Sequence, residues 1–69
     1  YSLEPKNGKY QCACCLGYTL DKLGNYEICQ VCGWEDDDIQ NEDIDYAGGA
    51  NDMSVRQARA AFKAGKPVR

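Results

Sequence analysis

Histidine is absent from this 69-residue chain. Without it no Ser-His pair can form, so a hydrolytic triad is excluded. No apolar run approaches the ~20 residues that a membrane-spanning helix needs. No βαβ pattern accompanies a Cys-x-x-Cys pair, which argues against a dithiol oxidoreductase. The acidic residues do not follow the spacing of an EF-hand. Large size is lacking too: a domain this short hides only about 60% of the surface its unfolded chain exposes. Its apolar core is not expected to supply more than about 3–5 kcal/mol, so a staple is expected.

What is present is cysteine. Five residues fall in two tight clusters, Cys12, Cys14 and Cys15 in "YQCACC" and Cys29 and Cys32 in "YEICQVC". A secreted disulfide scaffold favours an even number with spread spacing. Here the number is odd and neighbours such as Cys14 and Cys15 could bridge only with strain. Cys12 with Cys15, and Cys29 with Cys32, each form a Cys-x-x-Cys turn that aims two sulfurs at one ion. Two such turns satisfy a tetrahedral Zn²⁺ with Zn–S near ~2.3 Å. With all four positions filled by protein, the metal is structural and leaves no corner for water. A structural zinc adds on the order of 10 kcal/mol in small fingers, more than this core can offer. Cys14 is left over: it could replace Cys15 in a Cys-x-Cys clamp, sit as a small buried thiol, or act as a redox-sensitive one. Iron is the rival metal, because a Cys₄ site can hold it for electron transfer. "YQCACC" is similar to the first knuckle of rubredoxins, although the interval between the knuckles is shorter than theirs. Thiolate–metal chemistry points to a reducing compartment, most simply the cytoplasm.

Residues 1–8 read as a leader loop, with a turn at Asn7-Gly8. Short β-prone runs at 9–11, 18–20 and 26–28 predict a three-stranded antiparallel arrangement, with a hairpin turn over Asp21–Asn25. Residues 9–34 would then carry the two knuckles and residues 35–53 an acidic loop. Ile39, Ile44 and Tyr46 are expected to pin that loop to the core, and a helical turn is expected near Asp37–Asn41. A helix is predicted over 55–64, with Ser54 as N-cap and Gln57 completing a capping box. Its apolar stripe is Val55, Ala58, Ala61 and Phe62; Gly65 and Pro67 end it, and 66–69 form a tail. Trp34 reads as a cover over the metal site.

Charge is divided along the chain. Residues 35–45 hold seven acids and no base, whereas residues 53–69 hold five bases and no acid. Four thiolates and one divalent ion would take the net charge from −3 to −5, making the domain a poor general binder of nucleic acid. The acids Asp36, Asp37, Asp38, Glu42 and Asp43 are candidates for a protein-contacting surface. An acidic surface of this kind can fill the phosphate-binding cleft of a basic nuclease, so a bacterial toxin is a candidate partner and an immunity protein a candidate role.

The order and spacing of "CACC" at 12–15, "TL" at 19–20, "YEIC" at 26–29, "VCGWEDD" at 31–37, "DYAGGAN" at 45–51 and "SVRQARAAF" at 54–62 resemble the bacterial cysteine-rich CPCC domain family. The departures are Ala13 where the family name has Pro, Leu16 where Gly often follows the cysteines, and Gln30 where Pro is common. The resemblance implies a small zinc-ribbon-like domain without implying an activity. The expected fold is therefore small α+β: zinc-ribbon or rubredoxin-like antiparallel β-hairpin knuckles with a C-terminal α-helix in a single domain over 9–69. The expected role is a non-enzymatic, structural-zinc module for a protein interaction. The alternatives are a toxin-neutralising immunity protein and a rubredoxin-like iron electron carrier.

Overall fold

In the computed structural model, which covers residues 1–69, the chain runs β1 (Tyr10–Gln11), β2 (Tyr18–Leu20), α1 (Asp38–Glu42) and α2 (Val55–Lys63). No helix is long and apolar enough to cross a membrane. The leader is tied down by a two-residue hairpin. Lys6 and Lys9 exchange backbone hydrogen bonds across Asn7-Gly8, and both turn residues have positive φ. Asn and Gly adopt that geometry more readily than other residues, which is why this dipeptide favours such a turn. β1 and β2 pair antiparallel, Tyr10 with Leu20 and Gln11 with Tyr18, with a bulge between the two pairs.

The expected third strand does not form on this sheet. Instead Ile28 bridges to Glu35. Around it, Asp36 N donates to Glu27 O at 2.9 Å and Tyr26 N to Asp36 O at 3.2 Å. Two local causes redirect the segment. Tyr26 takes φ +55°, which breaks an extended run. The Glu27 carboxylate accepts from the amides of Asp21 and Lys22, so the turn is closed by a side chain rather than by strand pairing. Each Cys-x-x-Cys pair thus sits at the tip of its own small hairpin.

α2 forms as the capping signals require. Ser54 Oγ accepts from Gln57 N at 3.2 Å, and Gln57 Oε1 accepts from Ser54 N at 2.9 Å. At the far end Lys66 N reaches Ala61 O and Gly65 N reaches Phe62 O, a Schellman closure with Gly65 at φ +71°. Pro67 then turns the chain back and Val68 enters the core, so the tail is packed rather than loose. The apolar core is small: Leu20, Trp34, Val55, Ala58 and Val68, together with Ala13 and the buried cysteines. Of the expected helix stripe, Val55 and Ala58 are buried, Ala61 is half-buried and Phe62 is exposed.

The acidic stretch is held by polar side chains, not by the apolar residues expected to hold it. Ile39 is 62% exposed and Tyr46 is also exposed; only Ile44 packs on the core. Gln40, fully buried in α1, donates through Nε2 to the carbonyls of Tyr46, Asn51 and Met53. Its Oε1 accepts from Asn51 N and Nδ2. Asn51 in turn holds Glu35 by both backbone groups, Oδ1 to N and Nδ2 to O, each at 2.9 Å. Asn41 Oδ1 accepts from the Trp34 indole at 3.0 Å, and its Nδ2 donates to Asp36 Oδ1. No buried side-chain nitrogen or oxygen lacks a partner. Gly49 must be glycine here, because a Cβ would stand 2.6 Å from Asp37 Oδ2 and 2.8 Å from Gln40 Cδ.

Asn51→Ala strands the amide of Glu35 and removes one donor each from Glu35 O, which keeps Asp37 N, and from Gln40 Oε1, which keeps the amide of residue 51. The expected loss is about 1–3 kcal/mol, the range for one buried polar group left unpaired. Denaturant melts of the metal-loaded protein measure it. Asn51→Asp should be no better tolerated, because a carboxylate cannot donate to Glu35 O.

Candidate metal centre

Each Cys-x-x-Cys pair closes the same turn. Leu16 N donates to Cys12 O and Gly33 N to Cys29 O, both at 2.9 Å. Cys12 N donates to Gly17 O at 2.8 Å and Cys29 N to Trp34 O at 2.9 Å. The two turns are structural copies, seventeen positions apart at every bond. Both need a left-handed residue just after the second cysteine, supplied by Leu16 at φ +67° and Gly33 at φ +87°. Glycine takes this conformation freely, whereas a side chain such as leucine gives up about 1 kcal/mol or more.

The copies face one another. Cys12 Sγ lies 3.6 Å from Cys32 Sγ, and Cys15 Sγ lies 3.7 Å from Cys29 Sγ. All four sulfurs fall within 4.8 Å of one another. A tetrahedral ion with metal–sulfur bonds of about 2.3 Å requires sulfur separations of roughly 3.8 Å. The donor set therefore fits one thiophilic ion, with a protein sulfur at every corner. Cys12 and Cys29 are buried, whereas Cys15 and Cys32 are half-buried and form the solvent-facing edge. Cys14, the alternative ligand, lies outside the four and is packed in the core.

The thiols alone resist ionisation. Burial pushes Cys12 far up, although the amides of Cys14 and Cys15 point at its sulfur. Burial also raises Cys15 to about 11 and Cys14 to about 12, with neighbouring sulfurs adding to both. Cys29 goes the other way. Burial is its largest single influence and raises it, but the Thr19 hydroxyl and the amides of Cys32 and Val31 outweigh that and bring it to about 7. The Thr19 Oγ1 to Cys29 Sγ distance is 3.1 Å. A cation at the centre removes the cost of gathering four thiolates, and the surrounding donors then orient and stabilise them.

Two supporting residues escaped the sequence reading. Thr19 carried a faint signal: Tyr18 and Leu20 share one face of β2, so Thr19 must take the other, where Cys29 lies. Arg59 carried none. Its Nε donates to Ala13 O at 2.8 Å, tying α2 to the first knuckle across 46 positions.

Among the candidate surface acids, Asp36 is 0% and Asp37 5% exposed, which corrects their reading as contact residues. Asp36 accepts from Gly24 N at 2.7 Å and from Asn41 Nδ2. Asp37 caps α1, accepting from Ile39 N and Gln40 N, and also accepts from Ala50 N at 3.0 Å. Their charge is spent on backbone amides that the irregular loop would otherwise leave unpaired. Asp38, Glu42 and Asp43 remain exposed.

Replacing Thr19 tests the hydroxyl. Thr19→Val keeps the shape and deletes the donor, and loss of such a partner typically weakens metal binding about 10–100-fold. Competition against a chromophoric chelator is the measurement. Thr19→Ser should restore most of the affinity, whereas equal loss in both variants would assign Thr19 to packing alone.

The profile of the cysteine-rich CPCC family matches residues 10–65. No curated protein matches the chain. The matched stretch holds both knuckles, the polar loop and α2, and the chain belongs to the cysteine-rich CPCC family.

Proposed function

We propose that this protein is a non-enzymatic, zinc-ribbon-like module in which Cys12, Cys15, Cys29 and Cys32 hold a structural Zn²⁺ and the rest of the surface serves a protein interaction. The observation that carries the metal reading is the spacing of the four sulfurs, close to the edges of a tetrahedron. Zinc is favoured because thiolates alone complete its coordination, leaving no open corner for substrate or water. Iron in the same four sulfurs is the competing occupant. A reducing compartment such as the cytoplasm suits four thiolates that must stay unoxidised. A toxin-neutralising role through the acidic loop would have to rely on Asp38, Glu42 and Asp43, because Asp36 and Asp37 are turned inward.

Elemental measurement of protein purified without added metal should give one zinc and one free thiol per chain. Cobalt replacement should produce the intense thiolate charge-transfer bands of a tetrahedral S₄ site. Red-brown protein with iron in equal amount would overturn zinc in favour of electron transfer. Exhaustive chelation should abolish the cooperative melt, since about 10 kcal/mol or more of folding free energy is at stake. Cys14→Ala should keep the metal, whereas Cys12→Ala should not.

A further inference from the structure

A groove of about 450 Å³ runs between the first knuckle and α2. Leu16, Tyr1 and Phe62 supply its apolar lining, Arg59 and Lys63 its charge, and the half-buried ligand Cys15 opens onto it. Three features of this wall are not accounted for by the fold alone. Leu16 holds a left-handed backbone at φ +67° while its side chain is 47% exposed. The matching turn uses Gly33, so the same bend is made elsewhere without that strain. A large apolar group kept at such a position and left in solvent is the kind of local cost that functional surfaces carry. Phe62 is 38% exposed on the adjoining face of α2. Arg59 and Lys63 stand one helical turn apart as like charges, an arrangement unfavourable to the helix itself. α2 contains no acid to offset them, and its one ion pair joins Arg56 to Asp45 instead.

We propose that this groove binds an acidic peptide segment that carries an apolar anchor. This rests on the reading of the protein as an interaction module and names the partner that module takes. The apolar side chain packs between Leu16 and Phe62, and the neighbouring carboxylates meet Lys63 and the guanidinium of Arg59. Charge complementarity selects the sign: the chain is acidic as a whole, yet this wall is basic. It also selects peptide over nucleic acid. Two cations beside an apolar lining, on a protein of net charge −3 before its thiolates ionise, cannot neutralise a run of phosphates.

The test is selection of a random dodecapeptide library on the full, metal-loaded chain, with a duplex and a single-stranded oligonucleotide titrated in parallel. The expected peptides pair Asp or Glu with Leu, Phe or Trp within one helical turn. Their affinity should fall with added salt and drop about tenfold or more in the Phe62→Ser/Lys63→Glu double variant. Neither residue holds the fold through a side-chain hydrogen bond or ion pair, so metal content and cooperative melting of that variant should stay unchanged. Leu16→Gly should melt no lower than the parent and yet lose the peptide. Selected peptides that are neutral or basic, equal binding to the double variant, no enrichment over a protein-free control, or tighter binding of either oligonucleotide would each overturn the proposal. A parent chain without metal or without a cooperative melt would instead overturn the module reading, so the two failures are distinguishable.

Discussion

Four sulfurs brought within a few ångströms of one another set the terms for the rest of this fold. As thiols they gain little from meeting; as thiolates they repel unless a cation stands between them. Burial already pushes Cys12 and Cys15 upward, whereas the donors around Cys29 bring it down. Gathering the four is thus favourable chiefly with an ion in place. The two turns that present them are alike bond for bond, so a single ion would be gripped by two copies of the same device. Everything between Cys15 and Cys29 needs only to bring those copies face to face. That is why a two-stranded hairpin and a side-chain-closed turn suffice where a regular sheet was expected.

A second constraint follows from size. The chain has too few apolar residues to cover the far side of the knuckles, and polar side chains take that place. Gln40, Asn41 and Asn51 each hold several backbone or side-chain groups, and the Trp34 ring, buried in the core, is fixed through its indole N–H to Asn41. Such a network is worth little if incomplete, because each unpaired member in a dry interior is costly. Here it is complete. Its members belong to the loop that composition alone paints as a solvated acidic tract. A run such as Trp34 to Asp38 has two buried acids at its centre and an exposed one at its end.

That contrast explains what was legible in the sequence. The Cys-x-x-Cys spacings, the Ser54–Gln57 box and the Gly65 stop are local chemistry, decided within a few residues, and each could be read directly. The third strand was misread because its fate turned on Glu27 capping a turn six residues back, a choice that β-propensity does not register. The loop's anchors do not follow hydrophobicity: Ile39 and Tyr46 lie exposed while Gln40 is buried. An amide such as Gln40, buried with every hydrogen bond satisfied, leaves no mark in an apolar pattern. Arg59 was illegible for the plainest reason: its partner, Ala13 O, is distant in sequence and belongs to the backbone.

Arg59 also links the metal centre to the outer surface. Its guanidinium is tied to the first knuckle through the Ala13 carbonyl. One nitrogen serves the knuckle carbonyl, while the same side chain lines the groove beyond. The charge of α2 is therefore not explained by its dipole alone. Lys63 suits the last turn of the helix, but Arg59 sits mid-helix, where the dipole offers it little. Its position makes sense from the two things it meets, the Ala13 carbonyl of the first knuckle within and the groove without.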